Sequence, residues 1–399
     1  MGKNLHIAIA IERASEYGRR FLQGVADHYD GRPDCLLDLL DPHQVTPQAT
    51  RLYDGWICRV TDRRSLKLIA ATGKPVVDAI CLDFNERFST VRTDYAAIGR
   101  MAADHLTARR FPNFAFCGYR HVAFSDLRGR AFADSLASRG YQPIVYRPPY
   151  VPDARKITYL QQLQLLEGST GEAADAQALT DWLLRLPKPV AIFCCDDFRA
   201  AAVSRLCARA GLSVPRDVAI LGVDNDPIFC MFGSPRLSSI DPNATALGRA
   251  AAETLDEHIA RPSAEATAKV IPPKGIIVRA STDAYPDAPD WFAEAIAFIG
   301  NNIGRGISAS DVFAHIGFSR TLVERVFRRQ LDRTVQAEIA NARIEAAKHL
   351  LSTTSLPMKE IAYRCGYGSV EYFTRTFCTT TGRPPAGYRQ NQDGAKPIG

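Results

Sequence analysis

Arginine residues recur at matched positions in the last third of the chain. The recurring set is Ser319, Arg325 and Phe327, which reappears as Ser369, Arg375 and Phe377. A guanidinium group can form paired hydrogen bonds to the edge of a guanine base or bind a phosphate. The repeat therefore predicts two copies of one unit suited to binding a polyanion such as nucleic acid.

Helices joined by tight turns would position these arginines. Each serine stands where a helix N-cap is expected, and glycines just before each serine allow a close turn. In the first unit we expect a supporting helix over 310–315 and a second helix over 319–331. The second unit is expected to repeat this pattern over 358–364 and 369–380, and one long helix over 335–351 would fix the spacing of the two units.

Helical spacing divides the second helix of each unit into an inward and an outward face. Leu322, Val326 and Phe327 are expected to point inward. The outward residues that we expect to contact DNA are Arg320, Thr321, Glu324, Arg325 and Arg328 in the first unit, and Val370, Glu371, Tyr372 and Arg375 in the second. The alternative is a small helical bundle whose arginines are merely solvated.

The charge distribution favours nucleic acid over that alternative. From Trp291 onward the chain carries 14 Lys and Arg against 9 Asp and Glu, out of 49 and 43 in all 399 residues. Almost all of the net charge of +6 thus lies in the last third. The ten cysteines are scattered without a C-x-x-C spacing, and no signal peptide or bilayer-spanning run is apparent, so we expect a cytoplasmic protein with reduced thiols.

The first 280 residues show a different periodicity. Short apolar runs that are typical of buried strands lie at 7–11, 55–58, 114–117, 190–194 and 218–223, and each is followed by a helix-length segment. Two doubly wound parallel sheets with helices on both faces are therefore expected. We place this α/β domain at 1–280, a proline-containing linker at 281–290 and an all-α domain at 291–399.

Several chemistries can be set aside for the α/β domain. No G-x-G-x-x-G follows the first strand, where residues 11–19 carry charged side chains instead. The pair Asp196 and Asp197 lacks the partners of a phosphorylated receiver, and no base is placed beside Cys194 or Cys195. We therefore expect no catalytic residue, cofactor or metal. Polar residues at the carboxyl ends of strands instead predict a small-molecule site.

The last third resembles a known family of DNA-binding domains. Residues 307–389 are similar along their whole length to the AraC/XylS-type domain, including Leu-Pro-Met-Lys-Glu-Ile-Ala-Tyr-Arg-Cys-Gly-Tyr at 356–367 and Gly-Arg-Pro-Pro-Ala-Gly-Tyr-Arg at 382–389. The resemblance implies seven helices, two recognition helices entering successive major grooves on one face of the duplex, and transcription activation. By position, it also assigns base reading to eight of the outward residues, which are Arg320, Thr321, Glu324, Arg325, Val370, Glu371, Tyr372 and Arg375.

The α/β domain resembles the LacI/GalR-type sensor, a periplasmic-binding-protein-like fold. The similarity spans residues 5–279 and rests on Val-Arg-Thr-Asp-Tyr at 91–95, Val-Ala-Ile-Leu-Gly-Val-Asp at 218–224 and Leu-Gly-Arg-Ala-Ala at 247–251. It implies two lobes, a hinge crossed three times and a small molecule between the lobes. We expect Asp94 to be a helix cap at one lobe crossing.

The union of these two domains resembles the xylose operon regulator family, which implies xylose or another pentose as effector. Carried over by position, the ligand contacts are Glu12, Tyr17 and Arg19 in the first lobe and Arg128, Asp197 and Asp224 in the second. Carboxylates and arginines suit a sugar because each can form charge-assisted hydrogen bonds to adjacent hydroxyls. The stretch 146–171 departs from the usual sensor, and we interpret it as an insertion in the second lobe.

Two functions remain open at this stage. The first is a sugar-responsive regulator that binds operator DNA, with a homodimer and a contact to RNA polymerase implied by the resemblance. The alternative is a sugar-metabolic enzyme that carries a DNA-binding tail. Sugar binding without turnover would distinguish the regulator from the enzyme.

Overall fold

A computed structural model of the chain divides into two compact units, residues 1–284 and residues 285–399. We call them the α/β unit and the helical unit. The structure describes residues 4–40, 45–59, 63–79, 88–119, 122–147, 170–261, 265–283, 285, 288–354 and 356–390. Within these ranges, none of the helices is long and apolar enough to span a membrane.

Twelve strands and eight α-helices form the described part of the α/β unit. The strands are β1 (Leu5–Ala10), β2 (Cys35–Leu40), β3 (Gly55–Cys58), β4 (Val76–Asp78), β5 (Ser89–Thr93), β6 (Asn113–Cys117), β7 (Ile144–Val145), β8 (Val190–Cys194), β9 (Val218–Val223), β10 (Ser238–Asp241), β11 (Ala268–Ile271) and β12 (Gly275–Ile277). The helices are α1 (Glu16–Tyr29), α2 (Arg63–Ala70), α3 (Tyr95–Thr107), α4 (Ala123–Ala137), α5 (Thr170–Arg185), α6 (Asp197–Arg209), α7 (Pro227–Phe232) and α8 (Ala244–Ala260).

The strands form two sheets of six. Lobe one has the order β11-β5-β4-β3-β1-β2, with all neighbours parallel. Lobe two has the order β12-β10-β9-β8-β6-β7, in which β12 alone is antiparallel to its neighbour. The central strands β8 and β9 are buried along their whole length. Strands covered on both faces read as continuous apolar runs, which is why the sequence predicted the two parallel sheets.

The chain passes between the lobes three times. It first crosses from β5 into α3, which packs in the core of lobe two. It returns from β10 to α8, which packs against α1 in lobe one, and it crosses again from β11 to β12. Asp94 lies at the first crossing and caps α3, because its carboxylate accepts a hydrogen bond of 2.8 Å from the Ala97 amide. The expected three crossings and the cap at Asp94 are confirmed.

The boundary between the units differs from the sequence-based linker at 281–290. Ser281 and Thr282 are fully buried in the α/β unit, where Ser281 Oγ donates to the Ile220 carbonyl at 2.6 Å. Tyr285 packs edge to face on Phe292 in the helical unit. Small polar residues resemble a linker in sequence, yet here their hydroxyls bind neighbouring strands. Of the predicted insertion at 146–171, residues 148–169 lie outside the described residues.

The described residues 288–390 of the helical unit form seven α-helices. They are α9 (Asp290–Asn302), α10 (Ala309–Ile316), α11 (Arg320–Leu331), α12 (Val335–Thr353), α13 (Met358–Arg364), α14 (Val370–Thr381) and α15 (Pro385–Gln390). Two apolar cores pack between them, one around Phe327 and one around Phe377. The long helix α12 supplies Ile339 to the first core and Ile344 to the second, so it holds the two helix-turn-helix units together as the sequence predicted.

A close backbone contact also joins the two helix-turn-helix units. Gly366 has a φ of +75°, and a Cβ at this position would lie 1.9 Å from the Ile303 carbonyl oxygen. Only glycine fits such an approach. Arg343 of α12 donates from Nη2 to the Ile307 carbonyl at 2.9 Å, and its guanidinium lies 5.8 Å from the centre of the Tyr367 ring. Within the helical unit, these contacts hold the two helix-turn-helix units in a defined position relative to each other.

Candidate ligand-binding cleft and nucleic-acid interface

A cleft opens between the lobes at the carboxyl ends of their strands. It contains about 330 Å³ of space outside protein atoms, part of which is open solvent. The described residues that line it are Ser15, Tyr17, Arg59, Tyr95, Phe124, Arg128 and Asp224. Open α/β folds bind small molecules at this edge of their sheets, because side chains from several loops meet there.

The lobe-one wall is built around Arg59, which follows β3. Its guanidinium pairs with the Glu12 carboxylate and lies 4.7 Å from the centre of the Tyr17 ring. Burial raises the pKa of Tyr17 to about 12, and the phenol hydroxyl is 3.1 Å from Thr93 Oγ1. Tyr17 therefore stays a neutral hydroxyl. Arg59 and Tyr17 therefore line the cleft from this side, and Glu12 is connected to it through its pair with Arg59.

The position of Tyr17 depends on how α1 begins. Ser15 caps the helix, with its Oγ accepting from the Gly18 amide at 3.0 Å. A Cβ on Gly18 would lie 2.1 Å from the Glu12 carbonyl oxygen, so glycine is required for the helix to start this close to β1. The turn that contains Tyr17 and Gly18 thereby directs the phenol ring toward the cleft.

Arg128 of α4 dominates the lobe-two wall. It is 3% exposed, and its Nη1 donates to the Cys195 carbonyl at 2.5 Å. The guanidinium carbon lies 5.6 Å from the centre of the Tyr95 ring and 5.1 Å from that of Phe124. Its Nε has no acceptor among the described residues. A buried, unsatisfied donor beside a cleft is a group that a ligand oxygen can pair with.

Asp224 faces Arg128 at the carboxyl end of β9. Its Oδ1 accepts from Arg128 Nη2 at 3.4 Å, a long contact that leaves room for further donors. Burial raises the pKa of the Asp224 carboxyl to about 7, although the charges of Arg128 and Arg59 act to lower it. The carboxylate is thus held in a site where additional hydrogen-bond donors would stabilise its ionised form.

Three of the predicted ligand residues are not among the residues that line the cleft: Glu12, which pairs with the lining residue Arg59, and also Arg19 and Asp197. Arg19 is exposed and turns back on its own loop, where Nη2 pairs with Glu16 at 3.0 Å and Nη1 donates to the Ala14 carbonyl at 2.6 Å. Asp197 is buried inside lobe two, and its Oδ2 accepts from the Asp226 amide at 2.8 Å. The side chain of Arg19 is thus held by Glu16 and the Ala14 carbonyl, and that of Asp197 by the Asp226 amide, so neither is directed into the cleft.

The neighbour of Asp197 takes the cap position. Asp196 is the N-cap of α6 and accepts from the Arg199 amide at 2.7 Å. Burial raises the pKa of Asp196, while the charges of Arg128 and Arg199 lower it. Asp197 is the first residue of α6, so the two adjacent carboxylates have different surroundings.

Sequence reasoning missed four of the cleft residues: Ser15, Arg59, Tyr95 and Phe124. Arg59 directly follows the predicted strand at 55–58, so its strand-end position was a usable signal. Tyr95 and Phe124 stand in the first turns of α3 and α4, where nothing in the sequence marks them as facing a cleft. Their orientation follows from how the two helices pack.

The second helix of each helix-turn-helix unit begins as predicted. Ser319 caps α11 and accepts from the Leu322 amide, and Ser369 caps α14 and accepts from the Tyr372 amide. The turns before them contain Gly317 at a φ of +69° and Gly366 at +75°. Such left-handed conformations favour glycine, which is why these turns could be recognised from the sequence.

Most of the predicted DNA-contacting side chains are exposed on these two helices. The exposed residues are Arg320, Thr321, Arg325 and Arg328 on α11, and Glu371, Tyr372 and Arg375 on α14. Two others differ. Glu324 is partly buried, with Oε2 3.4 Å from the Val335 amide at the start of α12, and Val370 packs against the second core. On the inward face, Leu322 is only partly buried and Val323 occupies a fully buried position beside Val326 and Phe327.

Comparison with known domain families matches both parts of the chain. Residues 103–282 match the periplasmic binding protein-like domain, and residues 313–391 match a helix-turn-helix domain. The fold, the interlobe cleft and these two matches define the chain as a transcription regulator that joins a periplasmic-binding-protein-like domain to an AraC-type helix-turn-helix domain.

Similar proteins extend over nearly the whole chain. The xylose operon regulatory protein of Haemophilus influenzae is 25% identical over 396 residues, covering 96% of this chain and 98% of that protein. The protein of the same name from Escherichia coli K12 is 26% identical over 398 residues, covering 97% of each chain. The solved structure of a xylose-binding transcription activator has the same fold, with a TM-score of 0.61, 24% identity and coverage of 96% and 97%.

Proposed function

We propose that this chain is a sugar-responsive transcription regulator whose effector is xylose or a similar pentose, and that it activates transcription from operator DNA. The observation that carries the proposal is the cleft, where charged groups of both lobes face one space. Arg59, which pairs with Glu12, lines the cleft from lobe one, and Arg128 and Asp224 line it from lobe two. A ligand between these pairs would hold the lobes in a closed arrangement.

The chemistry of the cleft suits a polyhydroxylated ring. Carboxylate and guanidinium groups form charge-assisted hydrogen bonds to adjacent hydroxyls, and the rings of Tyr17, Tyr95 and Phe124 offer apolar faces to sugar carbon atoms. We propose Glu12, Tyr17, Arg59, Arg128 and Asp224 as ligand contacts. The names of the similar proteins support xylose as the first sugar to test.

Thermal unfolding of the purified full chain tests this proposal. D-xylose should stabilise the α/β unit by RT ln(1 + [L]/Kd), which is about 2.7 kcal/mol at a hundredfold excess over Kd. D-ribose, L-arabinose and D-glucose serve as comparison sugars. No stabilisation by any of them would overturn the proposal, and conversion of xylose into a product would favour the enzyme alternative.

We further propose that the regulator acts in the cytoplasm as a homodimer and that its helical unit contacts RNA polymerase when bound near a promoter. An expected dimer would present four helix-turn-helix units to one operator. Light scattering on the full chain tests the assembly, because a single monomeric species at micromolar concentration would exclude a stable dimer. Transcription with purified polymerase, with and without the chain, tests activation.

A further inference from the structure

The turn after β9 has an uncommon backbone. Asp224 has a φ of +105° and Asn225 a φ of +48°, which are uncommon outside glycine, although Asn and Asp adopt positive φ more readily than other residues. Strand β10 holds this turn, since the Asp224 amide donates to the Ile240 carbonyl at 2.9 Å and the Asn225 amide donates to Ser239 Oγ at 2.9 Å. Such strain persists only where surrounding contacts enforce it, and it is frequent at functional sites.

Asn225 binds two arginines from distant parts of the α/β unit. Arg279 Nη2 donates to Asn225 Oδ1 at 2.7 Å, and Arg20 Nη2 donates to the Asn225 carbonyl at 3.2 Å. Arg20 belongs to α1 of lobe one and also pairs with Asp241, at 3.1 Å, where the chain leaves β10. The residue next to the cleft carboxylate Asp224 is therefore linked both to the opposite lobe and to the segment 279–283.

Segment 279–283 ends the described part of the α/β unit and is bound tightly to lobe two. Arg279 Nη1 donates to the Leu237 carbonyl at 2.7 Å, and the Arg279 amide donates to Ser238 Oγ at 2.8 Å. Thr282 Oγ1 lies 2.8 Å from the same Ser238 hydroxyl, and Thr282 is fully buried. A displacement of Arg279 would consequently also displace the rest of segment 279–283.

A second route leads from the cleft to the same segment. Helix α3 begins at the cleft residue Tyr95, and thirteen residues span about 20 Å. Near its far end, His105 Nε2 lies 3.0 Å from Thr282 Oγ1, and Arg109 Nε donates to the Thr282 carbonyl at 2.6 Å. Both routes end on residues that directly precede the helical unit in sequence.

We propose that Arg279 is a positioning residue that passes ligand occupancy of the cleft, through Asn225, to segment 279–283. Arg279 does not line the cleft, so it would act through the turn that carries Asp224. A ligand that draws the Asp224 carboxylate toward it shifts Asn225, and the hydrogen bond to Arg279 transmits that shift. The inference rests on the proposed function, because a sugar must engage Asp224.

Hydrogen–deuterium exchange of the full chain with and without saturating D-xylose tests this proposal. Xylose should slow exchange of peptides covering 279–283 at least threefold in the natural chain. Asn225→Gly removes the side-chain acceptor, whereas Asn225→Asp keeps it, and both residues tolerate a positive φ. The first should weaken the xylose effect on the segment, because only the second route, through the contacts of His105 and Arg109 to Thr282, remains, and the second variant should retain the effect in full.

Arg279→Gln interrupts the same contact from its other end. It should also weaken the effect, and the double variant with Asn225→Gly should be no worse than Arg279→Gln alone, because Arg279→Gln already removes this contact together with the donor to the Leu237 carbonyl. Saturation is established for each variant by titration with xylose. A purely structural role would lower the unfolding temperature yet leave the xylose-dependent protection unchanged.

The outcomes separate this inference from the proposed function. If xylose stabilises the chain but Asn225→Gly and Arg279→Gln keep the full protection of 279–283, the inference is overturned and the proposed function stands. If the natural chain is not stabilised by any of the four sugars, both are overturned. Protection that is reduced in the two variants and retained in Asn225→Asp supports the contact between Asn225 and Arg279 as the transmitting element.

Discussion

Asp224 has two unusual features, a carboxyl whose pKa is shifted and a backbone with a positive φ. Its carboxyl has a pKa raised to about 7 by burial, and its backbone occupies the left-handed turn held by β10. The neighbouring Arg128 is buried with one unsatisfied donor. Since a ligand that donates to the carboxylate and accepts from the guanidinium would satisfy both groups, this pair should contribute more to sugar affinity than the exposed groups do.

Substitution of Asp224 tests that ranking. Asp224→Ala should weaken D-xylose binding at least tenfold, because a charged partner of a hydroxyl contributes about 1.5–3 kcal/mol. Arg19→Ala is the matched control, since Arg19 pairs with Glu16 away from the cleft, and it should change affinity less than twofold. Isothermal titration calorimetry on both folded variants decides the matter, and equal losses would place the ligand elsewhere.

Sugar affinity should also depend on pH. The pKa of Asp224 is about 7 in the free folded chain, and a ligand that donates hydrogen bonds to the carboxylate favours the ionised form and lowers this pKa. Xylose affinity should therefore rise with pH, by at most tenfold per unit, and level off above about pH 7 to 8. Titrations from pH 5.5 to 8.5 measure this, and Asp224→Asn should remove most of the slope.

The same raised pKa has the opposite consequence for folding. The carboxyl has an ordinary pKa of 3.8 when unfolded and about 7 when folded, so the folded state binds its proton more tightly. The contribution of Asp224 to the free energy of unfolding consequently falls as pH rises from about 4 to about 7. A xylose-free chain that became more stable when Asp224 was replaced by Asn at pH 8 would agree with this sign.

At single residues, the sequence predicted the site in part. Glu12, Tyr17, Arg128 and Asp224 were assigned by position within a resembled family, and all four lie at or beside the cleft. Arg19 does not line the cleft, because its side chain pairs with Glu16, three residues earlier. Such competition between local and long-range partners depends on packing, which a sequence pattern does not specify.

At the scale of elements, the strands and helices followed closely from periodicity. Buried parallel strands require continuous apolar runs, and the turns of the helical unit require glycine at positive φ, so both leave clear signals. The start of α6 was less visible, because Asp196 and Asp197 are equally good caps in sequence. Exposed faces of α11 and α14 were largely predictable, whereas the contact of Glu324 with α12 was not.

The exposed arginines of α11 and α14 should contribute to DNA binding in two different ways, some to selectivity and one to overall affinity. Arg325 and Arg375 are exposed at equivalent positions, and Arg375 lies 5.6 Å from the centre of the Tyr372 ring. Replacing either by alanine should lower discrimination between a selected duplex and its mutated form by about 1–3 kcal/mol. Arg328→Ala should instead weaken binding to all duplexes about equally. Competition assays at fixed salt measure both effects.

The duplex for these assays can be selected from a random pool by the full chain. Glu324→Ala provides a further comparison, since Glu324 contacts the Val335 amide and its loss should lower the unfolding temperature more than it alters selectivity. Unchanged selectivity in both arginine variants, together with weaker binding, would assign Arg325 and Arg375 to phosphate contacts.

For the whole molecule, regulation requires that ligand binding in the α/β unit changes the free energy of DNA binding by the helical unit. The chain between Asp283 and the start of α9 at Asp290 is short, and Asp283 follows the bound segment around Ser281 and Thr282. A conformational change in that segment is therefore separated from the first helix of the helical unit by only a few residues. In a dimer, the presentation of two helical units to one operator would amplify small changes.

Linkage makes this coupling measurable from either side. D-xylose should tighten specific DNA binding by about 1–3 kcal/mol, and the selected duplex should tighten xylose binding by the same factor, because binding free energies are reciprocal. We expect a flexible insertion of glycine and serine after residue 284 to remove most of this coupling while leaving xylose affinity without DNA unchanged. Calorimetric titration of xylose with and without duplex, on the natural and the lengthened chain, measures all four affinities. Equal affinities in the natural chain would refute the coupling, and full coupling in the lengthened chain would show that the connecting segment does not carry it.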